Sequence, residues 1–143
     1  MIRPVNPDSG KFLKWKTSAA CKKGQIAVMN SDLALPAAAG ASAATVLGVF
    51  AEDADSGAIA SIYNAHQIFE ADFYQGSSTD TATDAMLGVG YDIYVDGAAG
   101  DGSAEGETYL DLNDTIGDFC VLLDYDNNRR VGQFRFTDAS ILI

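Results

Sequence analysis

The chain has 143 residues, 48 % of them apolar, and a formal charge of −11. That is enough for one domain with a real core and argues against wholesale disorder, and no apolar run approaches the roughly 20 residues that span a bilayer. So acidic a balance disfavours nucleic acid and anionic membranes as partners.

The charge is unevenly placed. Residues 1–23 carry Arg3, Lys11, Lys14, Lys16, Lys22 and Lys23 against Asp8 alone, whereas the rest carries Arg129, Arg130 and Arg135 against nineteen acids. A basic entry to an acidic body could attract an acidic surface, including a neighbouring copy of the same body. No apolar segment follows the first basic residues, so no signal peptide is expected, and a soluble protein made in a cytoplasm is the default. Cys21 and Cys120 lack a second Cys or a His at zinc-ligand spacing and are expected to stay reduced, Cys120 as a small core residue.

Residues 1–18, MIRPVNPDSGKFLKWKTS, read as an extended basic arm, with a single β domain over residues 19–143. Pro4 and Pro7 oppose regular pairing at their own positions, and Asp8-Ser9-Gly10 is turn chemistry. Phe12, Leu13 and Trp15 then alternate with Lys14 and Lys16, a mixture of apolar anchors and charged rim that suits a docking segment. The same residues would also suit an edge strand covering the domain's own core. As a docking arm, the segment would be mobile in the free protein, order on a partner, and be removable without unfolding the body.

Residues 25–30 form a short apolar strand with Ile26 and Val28 on one face, closed by a turn at Asn30-Ser31-Asp32. Residues 33–44 are dominated by small side chains, with Pro36 and Gly40 breaking any long helix; a close-packed loop or one helical turn fits equally. Three apolar runs follow, over residues 45–51, 58–63 and 67–74, separated by short polar breaks. They read as successive antiparallel strands. In the third, Phe69, Ala71 and Phe73 alternate with Glu70 and Asp72, the period of a strand with one buried face.

The segment GSSTDTATD at 76–84 is a polar loop. Beyond it Val89, Tyr91, Ile93 and Val95 share a strand face, and residues 97–106 make an exposed Gly- and acid-rich loop. Leu110 and Leu112 mark the next strand. The runs 119–125 and 130–137 form a last hairpin around Asp126-Asn127-Asn128, with Cys120, Leu122, Phe134 and Phe136 suggesting burial on both faces. The apolar end Ile141-Leu142-Ile143 should pack on this subunit or another. Roughly eight short strands with turns between them predict an all-β fold, a small antiparallel β-barrel or sandwich.

Chemistry is hard to assemble from these residues. His66, the single histidine, lies in a tight turn, and no nucleophile motif such as G-x-S-x-G is present. Asp124, Asp126 and Asn128 open like a calcium loop, but Arg129 stands where Gly is needed and Arg135 where a bidentate Glu is needed. An Asx-supported β-turn explains them as well. Asp53 and Asp55, or the acids Asp96, Asp101, Glu105 and Glu107, could hold a cation only loosely. No catalytic, cofactor or metal residue is assigned, and no enzyme is expected.

The order of segments nevertheless resembles the head decoration, or capsid cement, proteins of tailed bacteriophages. The likeness runs over about residues 20–138. It comprises a basic Lys-Gly entry before the first strand (residues 22–28), an Ala-rich loop and the Leu47-Gly48-Val49 strand. The following hairpin, the strand around residues 67–73 and the final hairpin around an Asp/Asn turn complete it. The resemblance implies a non-enzymatic structural protein of the virion, made in the host cytoplasm. Copies of it would bind the major capsid protein on the outer face of an icosahedral head and stabilise the shell. It implies trimers of the chain at local threefold positions and an N-terminal arm that orders on the capsid, so that Phe12, Leu13, Lys14, Trp15 and Lys16 would be the binding residues by position and character. No cofactor, nucleic acid or membrane enters this picture. The alternatives are a head–tail or tail component of a virion, and a cell-surface or secreted β binding module using the loops at 76–84 and 97–106.

Overall fold

Strand-forming runs separated by turn residues give an all-β protein here. A computed structural model describes residues 1–6, 12–37, 45–76, 79–96, 107–115 and 119–142. Eleven strands are present among them: β1 Arg3–Pro4, β2 Phe12–Lys16, β3 Ile26–Asn30, β4 Leu33–Pro36, β5 Val46–Phe50, β6 Ile59–Asn64, β7 Phe69–Asp72, β8 Gly90–Asp96, β9 Glu107–Asp111, β10 Cys120–Asp126 and β11 Val131–Phe136. One 3-10 turn, Asp84–Met86, is the single helical element described.

The strands make two antiparallel sheets, ordered β1-β7-β11-β10-β8-β9 and β2-β6-β5-β3-β4. Each curls back on itself. Phe73 bridges Leu110 in the larger sheet, and Thr17 bridges Ala34 in the smaller, where the Ser18 amide donates to the Ala34 carbonyl at 2.8 Å. This is the small barrel or sandwich that the strand pattern predicts.

Curling creates two cores, so the central strands of the smaller sheet are apolar on both faces. On β3 and β5, Ile26, Val28, Val46 and Val49 enter the main core shared with the larger sheet, whereas Ala27, Leu47 and Phe50 enter a second core within the smaller sheet. The main core is rich in aromatic rings. Phe69, Phe119 and Phe134 pack around Phe136 with centroids 5.3–5.9 Å apart, in edge-on geometries that suit the ring quadrupole. Burying each ring is worth about 1.5–3 kcal/mol.

Two close features tune the smaller sheet. Ser31 and Asp32 both have positive φ (50° and 67°), the primed two-residue turn that joins β3 to β4 with right-handed twist. Gly48 sits beside a register shift between β3 and β5, and a Cβ there would stand 1.7 Å from the Tyr63 carbonyl oxygen. Only glycine allows the β5 and β6 backbones to approach so closely.

The structure corrects the extended arm expected at the start of the chain. Phe12 to Lys16 pair along their whole length with Ile59 to Tyr63, making β2 a strand of the smaller sheet. Leu13 and Trp15 pack against the second core, and the indole Nε1 donates to the Asp32 carbonyl at 3.0 Å. Ile2 is buried in the main core, and Thr17 is buried with its hydroxyl donating to Asp55 O at 2.8 Å. Pro4 precedes β2 in the chain and does not interrupt it, Pro7 lies outside the described residues, and lysines are ordinary residues on the outward side of an edge strand. Pro4 itself lies in β1, opposite Phe69 at a sheet edge, where its missing N–H costs no ladder bond. The Asp8-Ser9-Gly10 turn, the loop at 97–106, Ile143 and the part of the Ala-rich segment beyond residue 37 lie outside the described residues.

The C-terminal segment is tied to its own body. The Val46 amide donates to Ser140 O at 2.9 Å, the Leu142 amide donates to Val46 O at 3.0 Å, and Ile141 packs against the main core.

Candidate docking face

The five residues read from the sequence as partner-binding separate onto two sides of β2. Leu13 and Trp15 point inward and hold the strand to the second core. Phe12, Lys14 and Lys16 are exposed on the other side. Period-two alternation makes this division unavoidable once the segment is a strand. Leu13 and Trp15 therefore position the face and cannot line it.

The face is completed by β6. Phe12, Lys14 and Lys16 stand opposite Tyr63, Ser61 and Ile59. Phe12 is 52 % exposed and Ile59 67 %, the two most exposed large apolar side chains among the described residues. The Phe12 and Tyr63 rings are 5.0 Å apart, which orients Phe12 from beneath. The Lys14 ammonium donates to Ser61 Oγ, and the Ser61 amide donates to Glu52 Oε1 at 2.9 Å. Lys16 ends the strand beside Ile59.

Charge sets these lysines apart. Every described arginine, and Lys22, has a carboxylate within 3.7 Å: Arg3 and Arg129 face Glu70, Arg130 faces Asp80, Arg135 faces Asp138, and Lys22 faces Asp53. Among the described residues Lys14, Lys16 and Lys23 have no ion-pair partner. The β2–β6 face is thus a cationic and apolar patch on a strongly acidic chain. It can bury two large apolar groups and attract carboxylates.

Ile59 escaped sequence reasoning because residues 58–63 read as one apolar strand with no face assigned. The signal was its place at the strand's start, next to the Asp55-Ser56-Gly57 break.

The remaining candidates are dispersed. His66 is exposed in the β6–β7 turn, where its amide donates to Asn64 Oδ1 at 2.8 Å. Asp126 Oδ1 accepts from the amides of Asn128 (3.0 Å) and Arg129 (3.2 Å), the Asx-supported turn that competed with a calcium loop. The adjoining open cleft of about 480 Å³, lined by Glu70, Asp124, Asp126 and Arg129 among others, has the Arg129 guanidinium bonded to Glu70 at 3.0 Å. No three His, Cys, Asp or Glu side chains converge as a metal site among the described residues. Both cysteines are free and buried, and burial pushes the Cys21 thiol up to about 11 and the Cys120 thiol well above its ordinary value.

No protein-family model matches the sequence, and no curated protein matches it.

Proposed function

We propose that this chain is a viral structural protein, a decoration or cement protein that binds the outer surface of an icosahedral phage head and braces the major capsid protein. The observation that carries the reading is the β2–β6 face, where exposed Phe12 and Ile59 flank cationic Lys14 and Lys16 on an otherwise acidic chain. Covering a large apolar side chain contributes about 1.5–3 kcal/mol. The lysines add attraction to carboxylates on the shell, and salt weakens it.

A strand edge suits a cement role better than a detached arm would. Its side chains are held in register by the sheet, so little conformational entropy is lost on docking. Two curled sheets sharing a core give a stiff body that can brace neighbouring capsid subunits. Association of copies, as trimers, belongs to the same proposal and is supported by the opposite charges of the β2–β6 face and the rest of the chain. The C-terminus lends it little, because Ile141 is already packed on its own body.

The test is reconstitution on heads that lack the protein. The wild-type chain is expected to fill a fixed set of shell positions, with binding that weakens as salt rises. Phe12→Ser with Ile59→Ser, and separately Lys16→Glu, should abolish or strongly weaken binding while leaving the fold intact. Unchanged binding by both variants would contradict the proposal. Attachment confined to the head–tail junction would place the protein among head–tail components instead.

A further inference from the structure

Three tyrosines gather on the solvent side of the larger sheet, where strand alternation ordinarily puts polar residues. Tyr94 and Tyr109 are direct cross-strand partners on β8 and β9, and their inward neighbours Ile93, Val95, Thr108 and Leu110 are buried. Tyr74, just beyond β7, donates its amide to Leu110 O at 2.9 Å. That bond lays the Tyr74 ring on Tyr94, with centroids 3.7 Å apart and planes within 18°, and the Tyr109 ring lies 6.0 Å from Tyr74 at 53°. All three remain partly exposed.

Beside the rings opens a cleft of about 300 Å³ lined by Tyr74, Gln75, Gly76 and Tyr109. A Cβ at Gly76 would stand 2.2 Å from the Tyr74 hydroxyl, so any other residue there would displace the ring. A polar rim adjoins it. Gln75 Oε1 accepts from Arg130 Nη1 at 3.0 Å, and Arg130 Nη2 lies 3.7 Å from Asp80 Oδ2. Aromatic surface and fixed hydrogen-bonding groups therefore meet at one opening, the usual composition of a small-ligand site.

We propose that this cleft is a binding subsite for a neutral sugar ring of an oligosaccharide. A pyranose has an apolar face of C–H groups that packs on an aromatic ring, and a rim of hydroxyls that both donate and accept. Tyr74 and Tyr109 supply the first kind of contact, and Gln75, which lines the cleft and is held by Arg130, supplies the second. The charge of −11 disfavours acidic saccharides. Proline-rich peptides also stack on tyrosines, but the Gln75 amide at the opening matches hydroxyls better than a pyrrolidine ring. The site lies on the larger sheet and stands independently of the β2–β6 face.

The experiment titrates the full chain with maltohexaose, cellohexaose and chitohexaose at millimolar concentration, following backbone amide resonances. At least one is expected to shift residues 74–76, 94 and 109 saturably. Tyr109→Ala should then lower affinity by about tenfold, with the spectrum elsewhere unchanged. Gln75→Ala, which leaves all three rings in place, should lower it by about threefold. The proposal is overturned if none of the three sugars shifts these residues, or if affinity survives both substitutions. It is equally overturned if a polyproline peptide shifts them and the sugars do not.

Discussion

Phe12 and Tyr63 face each other across β2 and β6 with their rings 5.0 Å apart, and Tyr63 in turn packs against the main core. The exposed strand edge is thereby braced from the centre of the molecule. This separates two kinds of residue within one pentapeptide. Trp15→Ala removes an inward anchor and an indole hydrogen bond and should destabilise the fold by about 2–4 kcal/mol. Phe12→Ser should cost under about 1 kcal/mol and act on docking instead. Urea unfolding of both variants checks the split. Removal of residues 1–18 takes Ile2, β2 and Thr17 together and is expected to give an unfolded or aggregating chain; a cooperative unfolding transition in the truncated chain would contradict this.

Gly48 offers a sharper test of the β5–β6 approach. Gly48→Ala places a methyl carbon against backbone, which cannot swing aside as a side chain could. The expected loss is about 3 kcal/mol or more, read as a lower denaturant midpoint with little change in slope. A variant as stable as the parent would mean that the two strands are farther apart than described.

Asp92 gives a pH dependence with a defined sign. Its side chain is buried, and burial raises its pKa above the ordinary 3.8, with Asp114 and Asp111 pushing the same way. The protonated form is therefore favoured in the folded state, and stability is lost as pH rises through the unfolded and then the folded pKa. Asp92→Asn keeps an oxygen for the Ile93 amide and removes the charge. The variant should be more stable than the parent at neutral pH, with the difference vanishing below about pH 3.8. Thermal melts at several pH values measure this, and a variant less stable at pH 7 would reverse the assignment.

Much of the sheet framework was legible in the sequence because single faces are buried. Phe69, Ala71 and Phe73 alternate with Glu70 and Asp72, and that period alone identifies β7. The β10–β11 hairpin was visible for a second reason, since Asp126 and its neighbours carry turn chemistry whatever they pack on. β4 was missed because Ala34 and Pro36 look like loop residues; small side chains are needed there where Thr17 and Ala27 pair with that strand. β2 was legible only as two alternatives, since lysines suit both a free arm and the outer side of an edge strand. Phe12, Lys14 and Lys16 were found on the candidate face, whereas Ile59 was hidden by register. Tyr74, Tyr94 and Tyr109 could not have been grouped at all, because sheet pairing alone brings them together.

The most direct test of the decoration proposal is an electron cryomicroscopy map of tailed-phage heads assembled in the presence of this chain. The expected result is the β body repeated over the outer shell at symmetry-related positions, neighbouring copies touching, with Phe12, Lys16 and Ile59 turned toward the capsid. Density absent from the shell, or a β2–β6 face turned to solvent in every copy, would contradict it.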